Sequence, residues 1–496
     1  MGVFPVICDQ RTAIEFSKEI DECLIIEKEV NPVYEIASLT KAFEGGPLLV
    51  FENIKGYPKW KAVTNLLSRR ERIAKYFDAS IPDLPKRILE ALKNPISSTV
   101  VEAPLCQEHI ISSDIDMAKT LPIITQTKID ACPVLSGGVV MVKYPAGIGY
   151  GPLAFNLSFH RLSLGLDRDW LTLATLYNRH FLEVLHYHKS KGSEFPLTIN
   201  FGLSPALNVL ASGGAFPQIR PGGSDDLGIA GNLQGTPVRL AKASSVDAYC
   251  IADAELVLEG KVLYEEKDVA EINQGKPPSK PTKRPDYFFP EFIGYEGLCD
   301  RAFRFQVRAI THRANPAYYT PLADSWESSN LGAVISEASI YNACKNTAPN
   351  IFLNCHILDG MRGILGAVIQ CKIDHEMQFG ISQNLISAAF GAVKDLKWVI
   401  AVDEDVDIYD PTDVLWALTV RTRADEDINI IKGAGLGNIF ATKWSADTTV
   451  PVQDRWRARR PHFEAADLKK WLSEEAISKG LALMNEGARS VARRRV

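Results

Sequence analysis

Between about Thr120 and His312 the chain is written in short apolar runs: Gly138-Val-Val-Met-Val-Lys-Tyr, Leu197-Thr-Ile-Asn-Phe, Pro237-Val-Arg-Leu and Ala254-Glu-Leu-Val-Leu-Glu-Gly. Turns rich in Gly, Pro, Ser and Asp separate them, and this is the signature of a β-rich barrel or sandwich. One helix is expected to interrupt it, from about Trp170 to Lys191, where Leu171, Leu176, Phe181 and Leu185 recur at helical spacing. The polar, proline-rich segment from Glu265 to Pro285 reads as a surface loop.

The flanks have a different texture. Before the β-rich part, a helical pattern over Asn31–Glu44 is stopped by Gly45-Gly46 and followed by the apolar strand Pro47–Phe51, as in a small α/β domain. After about residue 330 the pattern is α/β again, with a helix over Ser336–Asn346, a strand over Ile364–Lys372 and a helix over Gln383–Lys394. Trp398-Val-Ile-Ala-Val-Asp-Glu-Asp405 reads as a buried strand ending in acids, which suits a parallel strand whose C-terminal end faces a crevice. With 496 residues the chain is too long for one core, so the expected class is a multidomain α+β protein of about three domains.

A net charge of −5 gives no electrostatic case for nucleic acid. Nine scattered cysteines without paired spacing read as free thiols in a reducing compartment. No secretory leader and no run of about 18 apolar residues is present, so the expectation is a cytoplasmic protein without a membrane span. The arginine-rich last 40 or so residues read as a solvated face.

Within this frame Asn156-Leu-Ser-Phe-His160-Arg161 places a carboxamide, a hydroxyl, an imidazole and a guanidinium on an alternating strand pattern, a donor-rich face suited to an anion. Arg179-His180, the glycine-rich Ser212-Gly213-Gly214 and Ser224-Asp225-Asp226 follow. A carboxamide oxygen, an imidazole and a carboxylate suit Mn²⁺ or Mg²⁺ when phosphate oxygens complete the shell. His180 could equally satisfy backbone groups, and Asp226 could cap the turn before Leu227. Glu291 lies among apolar neighbours. With Arg161 and Asp286 it could form a proton relay, or with Arg161 a structural salt bridge. The chain has no nucleophile elbow and no Walker loop, and Gly433-Ala-Gly-Leu-Gly437 lacks the βαβ context of a dinucleotide site. Asp403-Glu-Asp405 with Asp407 and Asp410 could bind a cation or form a solvated strand end.

Taken together, Asn156–Arg161, Asn178-Arg-His180, Ile199–Ala206, Asp226-Leu-Gly-Ile-Ala-Gly231, Pro290-Glu-Phe-Ile-Gly-Tyr295, Gln370-Cys-Lys372 and Val402–Asp407 resemble, in order and spacing, the UbiD family of reversible decarboxylases that use prenylated FMN. The resemblance implies an N-terminal α/β domain (1–118), a split β-barrel that binds the flavin (119–315) and a C-terminal α/β domain (316–496) that mediates homo-oligomerisation. It implies Asn156, His180 and Asp226 as ligands of Mn²⁺ (or Mg²⁺), with K⁺ as a further ion. Asp226 stands where the family more often has Glu, one methylene longer. Ser158, Phe159, His160, Arg161, Arg179, Ser212, Gly213 and Gly214 would line the flavin, Lys372 would meet its phosphate, and Arg421 falls where the family has an arginine close to the ion. Arg161, Glu291 and Asp286 would form the catalytic proton network. The implied partners are an aromatic, heteroaromatic or α,β-unsaturated carboxylic acid with CO₂, and a flavin prenyltransferase that supplies the cofactor. In catechol-acid members a histidine occurs near the region aligned with Glu327-Ser328-Ser329, which here has serines. The competing readings are an FMN-dependent reductase on a split barrel and a catalytically idle member.

Overall fold

The computed structural model describes residues 5–148, 153–165, 167–175, 180–213, 219–264, 269–270, 289–297, 301–434, 442–461 and 467–482. Its centre is a nine-stranded sheet in which all pairings are antiparallel. The main path runs Phe155–Phe159, Val139–Lys143, Phe195–Phe201, Leu256–Leu263, Arg301–His312, Trp170–Ala174, Arg161–Leu164. The first and last strands of this path are consecutive in the chain, joined only by His160. A sheet whose two ends meet through one residue must curl on itself, and the alternation of its strands sends Leu162, Leu171, Leu173, Leu197, Ile199, Leu258 and Phe305 into a single core, all buried. The β-rich expectation is met as this curled sheet.

Two local expectations are corrected. The polar stretch 156–161 is not one strand, because Phe155–Phe159 pairs with Val139–Lys143 while Arg161–Leu164 pairs with Trp170–Ala174. The helix expected from Trp170 begins, among the described residues, at His180 and ends at Lys191, and Trp170–Ala174 is a strand. Leu171 counts with Leu176, Phe181 and Leu185 toward a helical spacing, but it alternates with Leu173 on one face of a strand that two neighbours flank, and the curled sheet buries both side chains, so tertiary pairing overrides the longer-range spacing.

A four-stranded sheet of Cys23–Ile26, Leu48–Phe51, Lys61–Thr64 and Ala317–Tyr319 lies in the N-terminal part, so its last strand returns from beyond the barrel sequence. A five-stranded sheet orders Phe352–His356, Gly366–Cys371, Trp398–Asp403, Thr442–Asp447 and Ile428–Lys432. Trp398–Asp403 is parallel to both neighbours and its last five residues are buried, as its unbroken apolar run requires. The long helix Trp326–Thr347 starts ten residues before the expected Ser336, with Ser325 capping it by accepting the Ser328 N–H at 3.1 Å. These elements belong to one compact unit, residues 1–372 with 380–449. Residues 373–379 and 450–496 form a second, in which Trp456 and Trp471 are exposed. No described helix is long and apolar enough to cross a membrane. The eight described cysteines are free thiols, and Cys299 lies outside the described residues.

Candidate active site

At the break between the two end strands lies a cavity of about 560 Å³, within the size range of small-molecule and cofactor sites. Asn156, Ser158, Phe159, His160, Arg161, His180, Ser212, Gly213 and Glu291 all line it. The break explains how consecutive residues share one wall. His160 Nδ1 is 2.9 Å from the Ala174 carbonyl oxygen and its Nε2 is 2.8 Å from Ser158 Oγ. A carbonyl only accepts, so Nδ1 carries a proton, and the ring ties the turn to the neighbouring strand.

One end of the cavity is built for charge. The helix Pro205–Ser212 is capped by Ser204, whose Oγ accepts the Leu207 N–H, and it stops at Gly213. Its final carbonyls are taken by Arg220, which is 3% exposed and donates from Nη1 to Leu210 O and from Nη2 to Gly213 O, both at 2.7 Å. A Cβ on Gly213 would come within 2.9 Å of Arg220 Nη1, so that position has no room for a side chain. Arg220 Nε stands 3.5 Å from Asp226 Oδ1, while Asp226 Oδ2 accepts the Leu157 N–H at 2.9 Å and lies 3.4 Å from Asn156 Nδ2. Asp226 therefore stands directly behind the strand that carries Asn156. Burial raises its carboxyl above the ordinary range, and Arg220 and the Leu157 N–H pull it back. Burial likewise pushes Asp225 up to about 6. His180 opens its helix beside Gly222, where a Cβ would meet its Nε2 at 3.7 Å.

These residues fit a divalent cation. Asn156 is 3% exposed and its Oδ1 has no hydrogen-bond partner among the described residues, an unmet acceptor of the kind a hard cation takes. Among the described residues no three His, Cys, Asp or Glu side chains are grouped to hold a metal, so a cation here needs the Asn156 carboxamide and oxygens brought by a ligand.

At Glu291, Arg161 Nη1 donates to Oε1 at 2.5 Å, and the Arg161 guanidinium lies 4.7 Å from the ring centroid of the buried Phe289. Glu291 sits in a short hairpin that pairs Phe289 with Gly297 and Pro290 with Glu296. Gly297 is required there, since a Cβ would fall 2.2 Å from Glu291 Cγ. Aliphatic and aromatic side chains, Phe181, Leu322, Leu331 and Ile364 among them, fill out the lining.

Lys372 does not join this cavity. It is half-exposed and pairs with Glu404 at 3.2 Å. It lies just past the strand Gly366–Cys371, at the acidic end of the parallel neighbour Trp398–Asp403. Arg421 is held there too, by Asp405 at 2.6 and 2.9 Å and Asp403 at 3.3 Å, away from the cavity lining. Arg179, Gly214 and Asp286 lie outside the described residues. Sequence reasoning missed Arg220, Phe289, Arg362, Lys394 and Asp395, which also line the cavity. Only Arg220 left a signal, an arginine inside the Pro- and Gly-rich run that leads to Asp225-Asp226. The first turns of the helix Trp326–Thr347 divide between cavity and interior. Ser328 and Leu331 face the cavity, whereas Asn330 donates to Leu67 O and Ser68 O, and buried Glu327 accepts from Asn65 N, Leu67 N and Tyr319 Oη.

Three models of the 3-octaprenyl-4-hydroxybenzoate carboxy-lyases match almost end to end: the N-terminal domain over residues 14–92, the Rift-related domain over 98–324 and the C-terminal domain over 329–441. The chain belongs to the UbiD family. It is a carboxy-lyase, and family membership favours that reading over a flavin reductase. Gallate decarboxylase of Lactiplantibacillus plantarum is 31% identical over 476 residues, covering 90% of this chain and 93% of that protein. The apo 3,4-dihydroxybenzoic acid decarboxylase of Enterobacter cloacae superposes with a TM-score of 0.84 at 29% identity, over 94% of this chain and 99% of that one. An evolved dimeric form of the UbiD-class enzyme HmfF from Pelotomaculum thermopropionicum, in complex with prFMN, gives 0.80 at 28% identity with the same coverage.

Proposed function

We propose that this UbiD-family chain catalyses the reversible, non-oxidative decarboxylation of an aromatic, heteroaromatic or α,β-unsaturated carboxylic acid, using prenylated FMN delivered by a flavin prenyltransferase. The observation that carries the reading is the single cavity that holds the Arg161–Glu291 pair together with Asn156 and His180. When bound, prenylated FMN supplies the electron sink that an sp² carbon needs after losing CO₂, which no side chain can provide. Asn156, His180 and Asp226 would hold Mn²⁺ or Mg²⁺ against the cofactor phosphate. Ser158, Phe159, His160, Ser212 and Gly213 orient the flavin. Arg161 binds the substrate carboxylate, and its guanidinium is held for that task by Glu291 and the Phe289 ring. Glu291 holds a proton and returns it to the carbon that has lost CO₂. The apolar lining keeps water from competing for that carbon. The order of the family models and the change of texture along the chain support three parts, 1–118, 119–315 and 316–496, although the first family boundary falls earlier, between 92 and 98, and the last part would pair copies of the chain. The gallate and 3,4-dihydroxybenzoate relatives support an aromatic acid as substrate, while Ser328 at the cavity wall leaves a catechol ring unnecessary.

The cofactor assignment is tested by the mass and absorbance of the flavin bound after co-expression with a flavin prenyltransferase. The expected ligand is the prenylated form, and stoichiometric unmodified FMN that stays inert to all acids would contradict it. A second expectation concerns Gly297→Ala. The added methyl must push Glu291 from Arg161, so CO₂ release is expected to fall at least about tenfold with the fold retained. Unchanged turnover with a normal melting curve would mean that Glu291 need not stand where it does.

A further inference from the structure

Glu291 stands on a structure that cannot hold itself. The hairpin that carries it has two ladder pairs, closed by Glu291 N–H to Tyr295 O at 3.0 Å and Gly294 N–H to Glu291 O at 2.9 Å. A lone hairpin this short is not stable in water, so its place is set by what it touches. On the barrel side it touches Arg161. On the other side it touches Arg362, a residue to which nothing so far assigns a role.

Arg362 follows the short 3₁₀ turn Asp359–Met361 and, like Glu291, lines the cavity. Its Nη1 donates to Asp324 Oδ1 at 2.8 Å, and the Asp324 carbonyl in turn accepts from Lys41 Nζ at 2.9 Å. The rest of the guanidinium lies against Gly294. A Cβ there would be 2.9 Å from Nη2 and 3.4 Å from Cζ, so only glycine, at φ +83°, admits this approach. Arg362 itself has φ +51° and is followed by Gly363 at φ +72°, whose absent Cβ would meet Ser329 O at 2.3 Å. The loop is thus seated against the helix Trp326–Thr347 in a conformation a bulky residue rarely takes.

We infer that Arg362 is a positioning residue for Glu291: it clamps the Gly294 turn to Asp324 and so holds the carboxylate at Arg161. The inference rests on the reading of Glu291 as the proton carrier. Arg362 does not touch the reacting atoms in this role. A Lys would keep its charge toward Asp324 but lose the flat fork that reaches both Asp324 and Gly294.

The test uses the holoenzyme and Arg362→Asn, because Asn tolerates a left-handed backbone but is too short to reach Gly294. Amide hydrogen exchange over residues 289–297 is the first readout and needs no substrate. At least tenfold faster exchange at Glu291 and Gly294 is expected, with the melting temperature kept and partial recovery in Arg362→Lys. Gly294→Ala, which displaces the guanidinium from the other partner, should reproduce the faster exchange. With gallate, 3,4-dihydroxybenzoate or whichever aromatic acid the wild type turns over, kcat should fall at least tenfold with KM within about twofold. Unchanged exchange in Arg362→Asn overturns the inference, and so does a rise in KM at unchanged kcat, which would make Arg362 a substrate contact. If Glu291→Gln remains active, the proton-carrier reading fails while the exchange result still judges the clamp. If Glu291→Gln is inactive and Arg362→Asn exchanges normally, only the clamp fails.

Discussion

Replacing Glu291 by Gln should lower CO₂ release by about three orders of magnitude while leaving flavin occupancy unchanged, within the range seen when a positioned acid/base group is removed. Gln is nearly the same size as Glu and can still accept from Arg161 Nη1, so the 2.5 Å contact survives in weakened form and the hairpin keeps its place. What is lost is the titratable proton. Exchange of the substrate's own C–H with deuterated solvent should fall in parallel, because it needs the same proton transfer without net loss of CO₂. If exchange persisted while CO₂ release fell, Glu291 would act on the carboxylate and not on the carbon. Near-normal turnover would move proton transfer to another group altogether.

The second large effect is expected at the charged end of the cavity. Asn156→Ala removes a buried oxygen that has no partner among the described residues, together with the long 3.4 Å contact of Nδ2 to Asp226 Oδ2, so its cost to the fold should be modest, about 1–2 kcal/mol. Bound manganese, measured by elemental analysis, should nevertheless drop below about a tenth of the wild-type content, and flavin should be lost with it, because the proposed ligand set uses that oxygen. Asp226→Asn should lose metal and cofactor too, but with a fold penalty of about 3 kcal/mol, because it strips the buried Arg220 of its carboxylate and weakens the Leu157 anchor. The two variants therefore separate ion binding from structure. Full metal occupancy in Asn156→Ala would remove this residue from the ligand set.

Much of this site was legible in the chain because its parts are local. The alternation of Asn156 and Ser158 with apolar residues is enough to write a strand with a polar face, and Pro290-Glu-Phe-Ile-Gly294 displays its turn glycine openly. The break at His160 was not legible, since nothing within six residues tells that two strands leave for opposite ends of a curled sheet. Trp170–Ala174 was misread for a related reason: its partners, Arg161–Leu164 and Arg301–His312, lie partly far away in sequence. The start of the helix Trp326–Thr347 was hidden because Glu327, Asn330, Ser336 and Glu337 are buried and hydrogen-bonded on it, which erases the usual apolar stripe. Arg362 reaches the hairpin from about seventy residues away along the chain, and only the fold reveals that meeting.

The most direct measurement follows CO₂ and NADH together. Holoenzyme produced with a flavin prenyltransferase is given a panel of aromatic and heteroaromatic acids, with headspace CO₂, the decarboxylated product and NADH absorbance recorded in the same vessel. At least one acid should yield CO₂ and product in equal amounts with no NADH consumed. NADH oxidation with no CO₂ released from any acid would contradict the decarboxylase account.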